Sequence, residues 1–345
     1  MTDVIIIETN LEEERLDETI ALIEAADGIV KGVVTQNVKV VTPATYIGKG
    51  KVEEVKQAVE KTGAEEVVFD GELTPSQTLN ISDVVGVPVI TRTNLILDIF
   101  AKRAFSSEGK ILVELAQLRY IYPRLKGRGD SLSRLGGGIG TRGPGETKLE
   151  TDRRHIKGRI LSLERSLADI EKRRKLYEER RAKNAVKSVA LVGYTNTGKS
   201  TLLNKICKSD VLEKDMLFAT LDPSTRYARI NDKKILFTDT VGFIKDLPEE
   251  LEKAFASTLE QAKNADVILN VASASADFTS QFAVSDEFLD KMGAYGKRIY
   301  VLNKCDLAEQ ICPEKYVHIS AKCGDGLEKL KQTIFFELYP NRKND

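Results

Sequence analysis

The segment Gly193-Tyr-Thr-Asn-Thr-Gly198-Lys199-Ser200 decides the fold of the second half of the chain. It follows Ser188–Val192, an apolar run typical of a buried strand, and it opens a helical pattern with Leu202 and Leu203 on one face. A glycine-rich loop between a strand and a helix, ending in Gly-Lys-Ser, is the pattern of a phosphate-binding P-loop. For the motif taken alone, an ordinary glycine-rich turn is the alternative.

The residue types of this loop suit a triphosphate and a metal ion. Gly193 and Gly198 let the backbone curl so that its N–H groups converge on phosphate oxygens, next to the positive end of a helix. We expect Lys199 to contact the β- and γ-phosphates and Ser200 to place its hydroxyl on Mg²⁺. The predicted nucleotide contacts here are Gly193, Tyr194, Thr195, Asn196, Thr197, Gly198, Lys199, Ser200 and Thr201.

A second phosphate-binding element follows the apolar run Lys234–Phe237. An aspartate at the carboxyl end of this strand, Asp239, can hold the water shell of the metal, and the Gly242 N–H can contact the γ-phosphate. We therefore add four consecutive residues to the predicted nucleotide site: Asp239, Thr240, Val241 and Gly242.

The polar segment Phe218-Ala-Thr220-Leu-Asp222 lies between these two elements, where a switch threonine is expected. We predict that Phe218, Ala219 and Thr220 bind the nucleotide and that Thr220 also contacts the metal. Thr225 is the weaker candidate for the same role, and either threonine could be a plain loop residue.

Two further segments predict the choice of base. The strand pattern Ile299–Leu302 is followed by Asn303-Lys304-Cys305-Asp306, and Tyr316–Ile319 by Ser320-Ala321-Lys322. Asp306 can accept two hydrogen bonds from guanine groups that adenine lacks, and an unpaired carboxylate in a closed pocket costs about 1–3 kcal/mol. Guanine is therefore predicted over adenine, although a helix cap is the alternative for Asp306 alone.

The other residues of these two segments have supporting roles in the prediction. Lys304 is expected to pack along the base, and the Ala321 N–H to reach the guanine carbonyl oxygen. The full predicted base site is Asn303, Lys304, Asp306, Ser320, Ala321 and Lys322.

The pattern predicts an α/β protein of three parts. A small α/β domain over residues 1–92 precedes a long antiparallel helical hairpin with a linker over 93–186, and a P-loop GTPase domain with a mostly parallel, doubly wound sheet occupies 187–345. We expect the first hairpin helix to break near Ser106, Ser107 and Gly109. The apolar stripe Ile156–Ile170 marks the second helix.

The predicted tip of the hairpin is rich in glycine, over about residues 124–146, and carries basic side chains. Flexible positive charge suits a phosphate backbone, while a solvated helix end is the alternative. The predicted RNA contacts are Arg124, Lys126, Arg128, Arg134 and Arg142.

Composition excludes several classes of protein. The 345 residues carry no formal net charge, 41% of them are hydrophobic, and no run approaches the ~20 apolar residues of a membrane span. The four cysteines show no metal-ligand spacing and only two histidines are present, which argues against a zinc site. We expect a cytoplasmic monomer with reduced thiols.

Beyond these motifs, the chain resembles the HflX family of translation-associated GTPases over nearly its whole length. Distinctive segments are Tyr46–Lys51, Phe69–Gln77, Asn94–Phe100, Gly136–Arg154, Phe218–Arg226 and Asp239–Ile244. The resemblance implies an amino-terminal domain and hairpin that bind the large ribosomal subunit near its peptidyl-transferase region. It also implies a GTPase domain stimulated by ribosomes, and a role in splitting or rescuing ribosomes under stress.

The chain departs from the family pattern at two places. Thr91-Arg-Thr93 stands where an aspartate usually precedes the arginine, and Asn270–Ser275 replaces a strand that usually contains histidine and aspartate. The chain also ends soon after the helical pattern Leu327–Leu338, so we expect it to lack the extra terminal domain of some relatives.

Two features shape the expected mechanism. Phe243 follows the switch glycine, where Ras-like enzymes place a glutamine that orients water, and a phenyl ring cannot accept that hydrogen bond. We hypothesise that Phe243 swings away from the phosphate and that the ribosome orders the switches, with Lys199, Thr220, Gly242 and Phe243 as the catalytic set. Asn196 is a candidate ligand for K⁺, and a loop-stabilising amide is its alternative.

Three functions are weighed. The first is a ribosome-dependent GTPase, and the second is a nucleotide-switched ribosome- or RNA-binding module in which hydrolysis is incidental, because of Phe243. The third, an ATP-driven RNA-remodelling factor, ranks last, because the first half shows no phosphate loop beyond the weak possibility at Gly48-Lys-Gly50.

Overall fold

The computed structural model describes residues 1–10, 13–125, 148–183, 186–207, 224–244, 262–308 and 313–340. The chain forms two compact units. The first comprises Met1–Lys102 with Lys110–Leu167, and the second comprises Arg103–Gly109 with Ala168–Asp345. Among the described residues, no helix is both long and apolar enough to cross a membrane. The division into the three predicted parts, 1–92, 93–186 and 187–345, stays a prediction.

The elements before the P-loop form a parallel sheet with its helices, followed along the chain by two longer helices. In chain order they are β1 (Thr2–Thr9), α1 (Glu13–Ala25), β2 (Gly28–Gln36), α2 (Lys49–Thr62), β3 (Glu66–Phe69), α3 (Pro75–Val85), β4 (Val89–Thr91), α4 (Arg92–Arg103), α5 (Ser107–Arg124) and α6 (Lys148–Lys183). The strand order is β2-β1-β3-β4, and all described pairs are parallel. The apolar run of β1 is buried, as expected for a central parallel strand.

Local signals set several helix ends in this unit. Thr74 and Gln77 form a reciprocal capping box at the start of α3, with Pro75 in its first turn. Helix α2 ends at Thr62 and is followed by Gly63, whose φ of 69° is a left-handed conformation that favours glycine. The predicted helix break is confirmed, because α4 ends at Arg103 and α5 begins at Ser107.

Side chains join α5 to α6. Arg159 forms an ion pair with Glu114 at 2.6 Å, and Arg119 forms one with Glu164 at 2.7 Å. The second helix extends further than its apolar stripe, from Lys148 to Lys183. Most of the predicted glycine-rich tip lies outside the described residues.

Thr91, at the first departure from the family pattern, forms hydrogen bonds with two other side chains. The Thr91 hydroxyl lies 2.8 Å from the hydroxyl of Tyr120 and donates to Asn94 Oδ1 at 2.9 Å. Thr91 thus links the end of β4 to α4 and α5 without a carboxylate.

A network of buried and partly buried charged side chains lies at the carboxyl edge of this sheet. Arg15 and Arg92 donate to Asp70 at 2.9 and 3.1 Å, while Arg92 also pairs with Glu18. The fully buried Glu8 receives no hydrogen bond from described residues. Burial, then a hydrogen bond to Asp70 and its repulsion, raise the pKa of Glu8 to about 8. At neutral pH the Glu8 carboxyl therefore favours its protonated form beside Asp70, whose own pKa is lowered.

The raised pKa of Glu8 predicts a pH dependence of stability. Because the pKa of Glu8 rises from 4.5 to about 8 on folding, the unfolded chain loses this proton first, and stability falls as pH rises through that interval. Glu8→Gln, whose amide can donate to Asp70, is expected to be more stable to unfolding than the native protein by about 4 kcal/mol at pH 8 and by almost nothing at pH 4. Calorimetric unfolding at both pH values measures the difference. Glu24→Gln, on the exposed side of α1, is the control. Parallel pH curves for the native protein and Glu8→Gln would refute the raised pKa of Glu8.

The second unit contains the P-loop domain. Its elements are β5 (Lys187–Gly193), α7 (Lys199–Cys207), β6 (Ser224–Ile230), β7 (Lys233–Asp239), β8 (Val267–Ser273), α8 (Phe278–Lys291), β9 (Lys297–Asn303), β10 (Val317–His318) and α9 (Leu327–Leu338). The strand order is β10-β9-β8-β5-β7-β6, with β6 antiparallel to β7 and the other described pairs parallel. The predicted α/β fold class, with its mostly parallel doubly wound sheet, is confirmed.

The core of this unit explains why the sheet forms. Val189 and Leu191 of β5, Phe237 of β7 and Leu269 of β8 are buried together with Leu203 of α7. A parallel strand covered by helices on both faces needs such a continuous apolar run. The carboxyl ends of β5, β7 and β9 then carry the polar segments that predicted the nucleotide site.

Candidate nucleotide site

The loop between β5 and α7 has the geometry that its glycines permit. Gly193 has a φ of 150°, and a Cβ atom there would lie 2.0 Å from the carbonyl oxygen of Val271. Gly198 has a φ of 83°, and its Cβ would lie 2.4 Å from Asn303 Nδ2. Both positions therefore require glycine, for conformation and for space.

Lys199 begins α7 and is buried. Its ammonium donates to the carbonyl oxygens of Gly193 at 3.0 Å and Tyr194 at 2.7 Å, so it lies inside the curl of the loop. Burial lowers the pKa of Lys199 to about 8, and the charge of Asp239 opposes that shift. An anionic ligand would therefore stabilise the charged form of Lys199, whose ammonium here bonds to neutral carbonyl oxygens.

Ser200 and Asp239 meet beside this loop. The Ser200 hydroxyl donates to Asp239 Oδ2 at 2.7 Å, although the two residues belong to α7 and β7. The geometry thus brings together two of the three predicted metal contacts. A hydroxyl and a carboxylate are the hard oxygen donors that Mg²⁺ prefers, so these residues fit that ion.

The segment after Asp239 is docked on the P-loop. The Phe243 N–H donates to the Gly193 carbonyl oxygen at 3.1 Å, and the Thr195 N–H donates to the Phe243 carbonyl oxygen at 2.8 Å. The Thr240 hydroxyl donates to the Leu191 carbonyl oxygen at 2.8 Å. Gly242 consequently lies against Thr195 and Lys199.

The Phe243 side chain points into the domain. Its exposed fraction is 4%, and its ring centroid lies 4.8 Å from that of Phe288 on α8. Sequence reasoning identified Phe243 but missed Phe288, because no motif includes it. An aromatic residue on the apolar side of α8 was the only available signal.

Asn303 connects the P-loop to the segments predicted to bind the base. Its side chain donates from Nδ2 to the Thr197 carbonyl oxygen at 2.8 Å and accepts at Oδ1 from the Ala321 N–H at 2.9 Å. Since Asn303 is itself buried, both bonds are shielded from water. The ends of β5, β9 and β10 therefore surround one site.

Asp306 lies at the exposed edge of the same site. A hydrogen bond from Ser320 is the main cause that lowers the pKa of the Asp306 carboxyl, with smaller contributions from the charges of Lys322 and Lys304. The carboxylate is thus ionised at neutral pH, as an acceptor for two N–H groups must be.

The remaining predicted contacts fall around these groups. Asn196 has a φ of 57°, and its Oδ1 accepts from the Lys304 ammonium at 3.3 Å. Thr201 is half-buried in the first turn of α7, Val241 is buried, and Lys322 is exposed.

Several predicted residues cannot be placed. Phe218, Ala219 and Thr220 lie outside the described residues, and so do Lys126, Arg128, Arg134 and Arg142. The alternative switch threonine, Thr225, lies on β6 with its hydroxyl 3.4 Å from that of Thr238.

Of the predicted basic group, only Arg124 is described. Its guanidinium stacks 3.4 Å from the centre of the Tyr120 ring and pairs with Glu72 at 2.8 Å.

Comparison with known proteins agrees with this geometry. Family models described as GTP-binding GTPase N-terminal, GTP-binding GTPase Middle Region and 50S ribosome-binding GTPase match residues 13–101, 103–181 and 188–304. A GTPase HflX of Caldanaerobacter subterraneus subsp. tengcongensis is 50% identical over 342 residues, which cover 97% of this chain and 80% of that protein. The chain belongs to the HflX family of GTPases.

Other relatives support the HflX assignment. GTPase HflX of Escherichia coli strain K12 is 41% identical over 334 residues, covering 93% of this chain and 78% of the relative. A crystal structure of a GTP-binding protein from the archaeon Sulfolobus solfataricus with GDP covers 99% of both chains at 25% identity and a TM-score of 0.53. A structure of SsGBP with GDP gives 26% identity and a TM-score of 0.56, covering 97% of this chain and 98% of that one. As an HflX-family GTPase, the chain binds GTP and hydrolyses it.

Proposed function

We propose that this GTPase binds GTP with Mg²⁺ at the described site, hydrolyses it in response to the large ribosomal subunit, and splits or rescues ribosomes under stress. The position of Asn303 carries the first part of the proposal. Its side chain bonds to both the P-loop and the Ala321 segment, so phosphates and guanine can be held in one pocket.

The roles within the pocket follow from the chemistry of each group. Lys199 neutralises charge on the β- and γ-phosphates, and Gly242 donates its N–H to the γ-phosphate. Asp306 accepts hydrogen bonds from guanine. Ser200, Thr220 and, through water, Asp239 would hold Mg²⁺, which would supply positive charge to the phosphates.

The proposal that hydrolysis is conditional rests on Phe243. The residue after the switch glycine carries no group able to orient water, and its ring is packed inside the domain. Ordering of the attacking water must then come from elsewhere, and a bound ribosome is a source of additional groups. Family membership and the description of the model that matches residues 188–304 support this choice of partner.

The test is turnover with and without purified large subunits. We expect GTP hydrolysis to rise by about tenfold or more on their addition, because binding orders the switch segments. Sedimentation with GTP, GDP and no nucleotide measures association directly, and small subunits serve as the control. Equal turnover in all mixtures would exclude stimulation by the ribosome.

A monovalent cation is a further part of the proposal. Asn196 belongs to the P-loop, and its side-chain oxygen accepts a hydrogen bond from the Lys304 ammonium. The same oxygen could bind K⁺ when a nucleotide is bound. Identical turnover in potassium chloride and sodium chloride would remove this role.

Phe243 also supports a second candidate function. If the chain is a nucleotide-switched binding module, GTP binding alone separates the ribosomal subunits, and hydrolysis serves only to release the protein afterwards. A non-hydrolysable GTP analogue distinguishes the two functions, because the module separates the subunits with the analogue as well as with GTP.

A further inference from the structure

Phe288 lies on α8, outside every segment that predicted the nucleotide site. Its ring stacks on that of Phe243 with a centroid separation of 4.8 Å and an angle of 39° between the planes. Phe288 itself is half-buried, whereas Phe243 is almost fully buried. The pair therefore holds the Phe243 side chain inside the domain rather than over the P-loop.

The backbone of the same residue is fixed to the P-loop. Phe243 donates to Gly193 and accepts from Thr195, so ring and backbone anchor one short segment from two sides. The neighbouring Gly242 is held so closely that an added Cβ would lie 2.8 Å from Thr195 Cα and 3.0 Å from Lys199 Nζ. In this docked position the Gly242 N–H and the Lys199 ammonium can reach one phosphate group.

We propose that Phe288 is a positioning residue for GTP hydrolysis. By holding the Phe243 ring, it keeps Gly242 docked beside Lys199 and keeps the ring out of the space that the attacking water needs. The inference rests on the proposed function only in assigning Lys199 and Gly242 to the γ-phosphate. Phe288 makes no contact with the nucleotide in this role and acts through Phe243.

Positioning has a kinetic signature that differs from that of core packing. The two backbone hydrogen bonds of Phe243 remain when the ring of Phe288 is removed. The docked conformation of Gly242 and Phe243 is then less populated but still forms. GDP has no γ-phosphate, and its contacts lie in the P-loop and the base segments. Loss of docking therefore lowers kcat while GDP affinity and the KM for GTP stay constant.

The experiment uses the full chain with four substitutions. Phe288→Ala is expected to lower kcat by about 3- to 10-fold, the range expected for losing one aromatic pair. Phe288→Leu keeps apolar volume without a ring and is expected to show the same loss, so the test survives if the alanine variant fails to fold. Phe288→Tyr keeps the ring and retains native turnover. Phe336→Ala removes a phenyl ring that is 45% exposed on α9, as the control.

The outcomes separate the inference from the proposed function. Unchanged kcat in both ring-deleting variants overturns the positioning role, and so does a rise in kcat. A parallel loss of kcat and GDP affinity, measured by calorimetry, indicates a merely structural residue and also overturns it. Failure of the unsubstituted chain to bind GTP would instead refute the proposed nucleotide site.

Discussion

Asp306→Asn is expected to weaken GTP binding by about 100-fold or more while leaving the fold intact. The ionised carboxylate can accept from both the ring N1–H and the exocyclic amine of guanine. An asparagine side chain offers one acceptor and one donor, so the amine faces another N–H group. Since Asp306 is exposed and outside the apolar core, its substitution costs little stability.

Asp306→Asn is also expected to create a preference for xanthine nucleotides over guanine nucleotides. Xanthine has a carbonyl oxygen in place of the guanine amine, and the asparagine amide can donate to that oxygen while accepting from N1–H. Calorimetric titration with GTP and xanthosine triphosphate measures both changes. Asp325→Asn removes an exposed carboxylate from the neighbouring loop and controls for charge. Native GTP affinity in Asp306→Asn would show that this carboxylate does not select the base.

The nucleotide motifs were predictable because each is local in sequence and each follows a strand. Gly193 and Asp239 come after apolar runs, and parallel strands bring their carboxyl ends to one edge of a sheet. The fold class and the meeting of Ser200 with Asp239 follow from that geometry. The antiparallel β6 escaped prediction, because Ser224–Ile230 mixes polar and apolar residues on a half-exposed edge.

Contacts between distant residues account for what the sequence did not reveal. Phe288 is an ordinary apolar residue of an amphipathic helix until the fold sets it against Phe243. Glu8 likewise reads as a polar residue that ends a strand, and only the structure shows it buried beside Asp70. In both cases the important property is the partner, and single-sequence patterns do not specify partners across the chain.

Lys199→Met is expected to lower GTP hydrolysis by about 1000-fold, because it removes a fixed positive charge from the site where negative charge develops. Methionine keeps the unbranched apolar stem, so the buried space stays filled. Turnover in the presence of large subunits is the sensitive measurement. Lys205→Ala, an exposed lysine of the same helix α7, controls for loss of charge.

Lys199→Met is expected to lower activity but to keep or raise the free energy of unfolding. Folding lowers the pKa of Lys199 from 10.5 to about 8, so its charge at pH 7 is costly in the nucleotide-free fold, and Lys199→Met is expected to be equally stable or up to about 3 kcal/mol more stable. Between pH 8 and 10.5 the unfolded native chain binds more protons than the folded one. The native protein therefore gains stability relative to the variant as pH rises through this interval. A variant that lost stability and activity together would indicate that Lys199 mainly supports the loop. Lost activity with retained stability would place the buried ammonium in phosphate chemistry, where its cost to the fold is offset only when an anion is bound.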